Sequence, residues 1–183
     1  MEKNNKENII LGILQNGFER AAFSFSGIIL NRVTVSGTSM QSDEHFTLGE
    51  DQGDLFILTT QLMGDLAGKS YLILNFNASQ EIKASMGHMT RELHEAALLE
   101  IDNIVSASVI SDLSNALGIE LYGDVPHLIK IHSSQVRQFL QSEGKDSDQM
   151  IFAKATFNIN GTEKISSQFI WKLSSNIFDM IAA

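Results

Sequence analysis

The chain has 183 residues, 43% of them hydrophobic and 19% charged, with a net charge of −9, a pI of about 4.9 and no cysteine. That composition supports a substantial core without disulfide or metal staples and argues against a disordered chain. The 13 Lys and Arg are scattered and outnumbered by 22 acidic residues, which argues against nucleic acid or an anionic membrane as a main partner. Without cysteine there is no disulfide and no thiolate chemistry, which fits a reducing compartment.

The opening "MEKNNKENIILGIL" is polar and charged before a short apolar run, unlike a secretory signal. No stretch approaches the roughly 20 apolar residues of a membrane span. A cytoplasmic location is the expectation. Residues 6–31 read as helix, with Ile9, Ile10, Ile13, Leu14, Phe18, Ala21, Ala22 and Phe25 at helical spacing. "VTVSGTSM" (33–40) reads as a strand, and the acidic, Gly-containing 42–54 as a loop or hairpin end. "LFILTTQLMG" and "SYLILNF" read as two strands joined near Gly64 to Gly68. Asn77 or Ser79 is expected to cap a short helix over "QEIKASMG".

Thr90 to Leu117 carries the longest helix signal, stopped by Gly118. "IELYGDV" reads as a strand closed by Pro126, and 133–142 as a short helix. "MIFAKATFNI-NG-TEKISSQFIWKL" reads as two strands around Asn160-Gly161, a pair suited to a hairpin turn, with a short helix over 174–182. The order divides into two halves, each a long helix followed by three strands. It predicts an α+β fold, a single domain over 1–183 built by internal duplication, with long helices packed on antiparallel sheet. The first half spans about 6–76 and the second about 90–172.

Within the second long helix, "LLEIDNIVSAS" (98–108) is mostly apolar or small, yet it holds Glu100 and Asn103. Residues three and four apart share a helix face, so Ala96, Glu100, Asn103 and Ala107 form one stripe. Leu93, Ala97, Ile101, Ile104 or Val105, and Leu113 form the opposite, core-facing stripe. With only alanines beside them, Glu100 and Asn103 should project from a flat surface. Taken by spacing alone, such a pair is ordinary solvated surface.

The segment "AALLEIDNIVSASVISDLSNALGIELYGDVP" resembles the second signature helix of the CheC family, relatives of the chemotaxis proteins CheX and FliY. The family pattern runs Asp or Ser, three residues, Glu, two residues, Asn, twenty-two residues, Pro. Glu100, Asn103 and Pro126 match it, as do the small residues after Asn103 and the "DLSNALG" ending. The close match covers about 30 residues; elsewhere only the order of elements agrees. Ala96 departs, standing where the family has Asp or Ser. In the first helix, "GFERAAFSFSG" is a degenerate copy: Glu19 stands where Glu100 does, but Ala22 replaces the Asn. Phe23 and Phe25 read there as core packing.

The resemblance implies hydrolysis of an aspartyl-phosphate on a CheY-type receiver, with Asn103 orienting water and Glu100 pairing with a receiver Lys. The receiver would bring its own Mg²⁺, so no cofactor is expected on this chain. The resemblance leaves open a non-catalytic interaction module that binds a receiver, a CheD-like deamidase or a flagellar switch component, and it leaves open a homodimer. No metal site is expected either: His45, His88, His94, His127 and His132 lack ligand spacing. "EGKDSDQ" (143–149) reads as a polar turn rather than a calcium loop.

Overall fold

The computed structural model describes residues 2–42, 53–142, 150–161 and 166–181. In chain order these form α1 (Glu2–Ile29), β1 (Val33–Ser42), β2 (Asp54–Gly64), β3 (Gly68–Asn75), α2 (Phe76–Ser85), α3 (Arg91–Leu117), β4 (Leu121–Gly123), β5 (His127–His132), α4 (Ser133–Ser142), β6 (Met150–Ile159), β7 (Ser166–Ser174) and a 3₁₀ turn (Ser175–Phe178). The expected loop at 42–54 and the polar turn at 143–149 fall mostly or wholly outside the described residues.

All seven strands join one antiparallel sheet in the order β1-β6-β7-β3-β2-β4, with β5 also on β2. The fold is α+β, as expected. α1 is followed by three strands and α3 by four, one more than expected because β4 and β5 are separate, and strands pair across the two halves: β1 with β6, β3 with β7, and β4 and β5 with β2.

Alternation along the strands explains the layers. Leu58, Leu62, Leu72 and Leu74 face α1 and α3, joined there by Phe157, Phe169 and Trp171. Ile57, Tyr71, Ile73 and Ile170 face the other way, onto Val136 and Leu140 of α4. From α1 come Ile10, Leu14, Phe18, Phe25 and Ile29, all fully buried; from α3 come Leu98, Ile101, Val105, Val109 and Leu113. Each such side chain contributes about 1.5–3 kcal/mol by leaving water. Phe18 meets Phe169 edge-on at 5.8 Å between ring centres.

Three elements differ from expectation. The cap of α2 is Asn75, whose side chain accepts from the Ala78 backbone N–H at 2.8 Å; Asn77 and Ser79 lie inside the helix. Pro126 does not end pairing on β2. β4 pairs Leu62 with Gly123, and β5 resumes on the same strand by pairing Thr59 with His127. Asp124 N–H still donates to the Gln61 carbonyl of β2 at 2.9 Å, and the regular ladder then breaks around Pro126, which has no N–H to donate. The end of the chain forms a 3₁₀ turn over Ser175–Phe178 rather than a helix over 174–182. Asn160 and Gly161 both take positive φ, 56° and 69°, directly after β6, in line with their turn chemistry.

Candidate functional site

α3 is held at both ends. Thr90 caps it by accepting from Leu93 N–H at 3.3 Å, and Gly118 closes it at φ 65°, a left-handed conformation that glycine adopts without strain. Near its start His94 is buried, with Nε2 donating to the Ser79 carbonyl at 3.1 Å, which ties α3 to α2. Burial pushes the His94 pKa below its ordinary value; the Ser79 carbonyl opposes this. Glu95 takes Arg91 at 3.0 Å and also Lys130 of β5, and these two cations, Lys130 foremost, hold its carboxyl below the usual range.

α3 lies antiparallel to α1, with Arg20 meeting Asp112 at 3.1 Å and Ser24 meeting Ser108 at 3.3 Å. The helices approach closely at Gly17, where an added Cβ would stand 3.1 Å from the Val109 Cα. Glycine is what lets the two backbones lie this near.

Ala96, Glu100, Asn103 and Ala107 are all exposed, and they form one outward stripe, as the spacing predicts. No described residue holds the Glu100 or Asn103 side chain by a hydrogen bond or ion pair. Ala96 and Ala107 raise no wall around them, so the two polar groups stand one turn apart on a convex surface. The inner stripe needs one correction: Leu93 is 57% exposed, because it lies three residues before Ala96 and seven before Glu100, on the outward stripe itself. Pro126 is half-buried in the segment that crosses from β4 to β5.

The first helix also reads differently in three dimensions. Exposed and buried positions of α1 and α3 match when Arg20 is set against Glu100 and Phe23 against Asn103. Glu19 is therefore one residue off the equivalent position, and Ala22 is buried where Asp102 is buried. Phe23 is not core packing: it is 81% exposed, whereas Phe25 is fully buried. Arg20, Phe23, Glu19 and Ile13 line a groove of about 710 Å³ with Asp112 and Asn115 across the helix pair.

The residue missed from sequence is Asp102. It is fully buried directly beside Asn103, and its Oδ2 accepts from Thr60 Oγ1 of β2 at 2.7 Å. Burial raises its pKa to about 7; Thr60 and then Ser106 oppose that rise. The signal was available: Asp102 lies four residues after buried Leu98 and three before buried Val105, on the inner face. Among the described residues no three His, Asp or Glu side chains converge as metal ligands, and no helix is long and apolar enough to cross a membrane.

Two long helices side by side on one seven-stranded antiparallel sheet define a CheC-like fold, the one shared by CheX, FliY and the FliM middle domain. FliY of Thermotoga maritima is similar at 17% identity and a TM-score of 0.65, over 96% of this chain and 92% of that one. A CheC-like superfamily protein from a Shewanella species is 12% identical with a TM-score of 0.60, over 89% and 97%. The CheX of a CheX–CheY–BeF₃–Mg²⁺ complex from Borrelia burgdorferi is 13% identical with a TM-score of 0.53, over 88% and 96%. No protein-family model and no curated protein sequence matches the chain.

Proposed function

We propose that this chain is a CheC-like phosphatase that hydrolyses the aspartyl-phosphate of a CheY-type receiver in chemotaxis signalling. The observation that carries this is the exposed Glu100–Asn103 pair, one turn apart and flanked by alanines, on a fold that in Borrelia CheX is found together with CheY. Two short polar groups on a convex face suit insertion into another protein's site, not enclosure of a small molecule.

Phosphoryl transfer needs positioning and charge stabilisation more than covalent help. Asn103 offers one carboxamide acceptor and two donors, enough to hold a water in line with the phosphorus while touching a second polar atom. Attack by that water breaks the bond between phosphorus and the aspartyl oxygen; inorganic phosphate leaves and the receiver's carboxylate is restored. Holding the water removes much of the entropic cost of the step. Glu100 is anionic and would repel phosphoryl oxygens, so its role is to pair with a receiver Lys and fix register. Mg²⁺ belongs to the receiver in this scheme and supplies charge neutralisation there.

The test is the decay of an aspartyl-phosphorylated CheY-type receiver with wild-type protein and with Asn103→Ala. Acceleration by wild type, lost about 10²-fold in the variant, supports the proposal. A second reading is a non-catalytic interaction module. Ala96 in place of an acidic or hydroxyl residue, and Phe23 where α1 would need a carboxamide, favour it. Tight binding to receivers with unchanged decay in every case would establish that second reading instead.

A further inference from the structure

Beneath the exposed pair lies a polar seam that the proposed chemistry does not use. Thr60 of β2 stands opposite Ser70 of β3, and Ser70 stands opposite Trp171 of β7. The three sit side by side on the face of the sheet that α3 covers, and all are buried. α3 answers with two polar residues one turn apart. Asp102 takes the Thr60 hydroxyl at 2.7 Å, and the Ser106 hydroxyl meets that of Ser70 at 3.0 Å. Nothing donates to Asp102 Oδ1, and Trp171 Nε1 is likewise buried without a partner.

A carboxylate in this place would be a desolvated charge with one full hydrogen bond, an arrangement that strongly favours the neutral acid. No neighbouring charge offsets it. On α1, Arg20 is engaged by Asp112, ten residues along α3 from Asp102, and on β5, Lys130 is engaged by Glu95 while His127 and His132 are exposed. Asp54 is exposed at the far end of β2, and Tyr122 of β4 is exposed. Lys69 of β3 alternates with Ser70 and holds its ammonium over the Tyr71 ring at 5.8 Å. His94 on α3 itself is turned to Ser79.

We propose that Asp102 is the positioning residue of this face: as the neutral acid it seats α3 on Thr60 beside Ser106, setting how Glu100 and Asn103 project, and loss of its proton unseats them. A backbone carries Asp102 and Asn103 as consecutive residues, so a shift that relieves a buried charge at one moves the other. The catalytic part of this inference rests on the phosphatase reading; the seating of α3 does not.

The experiment measures two quantities from pH 5.5 to 8.5, for the wild type, Asp102→Asn and Thr60→Val. One is the rate of receiver dephosphorylation relative to the receiver alone. The other is amide hydrogen exchange over residues 98–106, normalised to intrinsic rates. With the wild type, acceleration should fall by up to about tenfold per pH unit above about 7 as exchange over 98–106 rises, because each pH unit changes the ionised-to-neutral ratio tenfold. Asp102→Asn, a neutral isostere, should flatten both profiles. Thr60→Val removes the one full donor to the carboxylate and should move both transitions to higher pH. Profiles for Asp102→Asn or Thr60→Val that coincide with wild type would overturn the proposal. If no protein accelerates dephosphorylation at any pH, the phosphatase reading fails by itself, and the exchange profiles decide Asp102 by the same comparison.

Discussion

Two glycines on α1 should respond oppositely to the same substitution. Gly12 is exposed, and an added Cβ there meets nothing within 4 Å. Gly12→Ala gains only the helix-propensity difference, about 1 kcal/mol of stabilisation. At Gly17 the same gain meets a collision: the new Cβ would lie 3.1 Å from Val109 Cα and 3.2 Å from its Cγ1. A rotamer change relieves the second contact but not the first, since a Cα cannot turn away. α1 must move off α3 by a few tenths of an ångström, and overpacking of this kind costs about 1–3 kcal/mol. The net expectation for Gly17→Ala is a loss of about 1 kcal/mol, so the two variants should differ by about 2 kcal/mol. Urea unfolding followed by the fluorescence of Trp171, the one tryptophan and fully buried, measures this directly. Adding Val109→Ala removes the Cγ1 contact and should recover part of the Gly17→Ala loss. Equal stabilisation by both alanines would refute the close approach of the helices, and with it the spacing that sets the outer face.

The contribution of Asp102 to stability should fall as pH rises from about 4 to about 7. The Asp102 carboxyl titrates at about 7 when folded against 3.8 when free, so between those values the folded state holds a proton that the unfolded chain has released. Roughly three pH units at about 1.4 kcal/mol each bound the effect at about 4 kcal/mol. It is read as the difference between wild type and Asp102→Asn, which cancels the opposite trend from His94: its lowered pKa makes stability fall as pH drops below 6.5; a difference independent of pH would contradict the buried acid. Phe25→Ala should cost about 3–5 kcal/mol in the same urea assay and Phe23→Ala less than about 0.5, despite two residues of separation, because only Phe25 is in the core. Asn103→Ala should also fall within about 0.5 kcal/mol of wild type, so a thermal melt that shows a larger loss would mean the side chain is structural rather than presented to a partner.

What could be read from the chain was local or periodic. Thr90 and Gly118 bracket α3 because caps act on backbone groups within a few residues, and the outward stripe from Ala96 to Ala107 follows from helical spacing. β5 escaped because its pairing depends on β2, more than sixty residues earlier, while the nearby Pro126 gave a stop signal. Phe23 and Phe25 differ in environment although their chemistry is the same; which of them faces the sheet is set by the rotation of α1, whose buried face runs through Leu14, Phe18, Ala21 and Phe25. For Asp102 the spacing placed it on the inner face, but its role was not legible, because the hydroxyl that meets it comes from another strand.

The exchange of strands between the halves has a bearing on how the molecule comes to exist. β7, seventh of the strands in chain order, lies at the sheet's centre, between β3 and β6. Among the described residues β1 pairs with β6 alone, and β6 follows it by more than a hundred residues. As the chain is made, β2 and β3 can pair at once, but β1 must wait for its partner until the last two strands arrive. Closing loops of that length before any pairing rewards them makes for slow folding. A ribosome-bound or truncated chain lacking β6 and β7 would leave β1 without its partner strand and one edge of β3 open, and quality control by the cell would meet it as an exposed sheet edge.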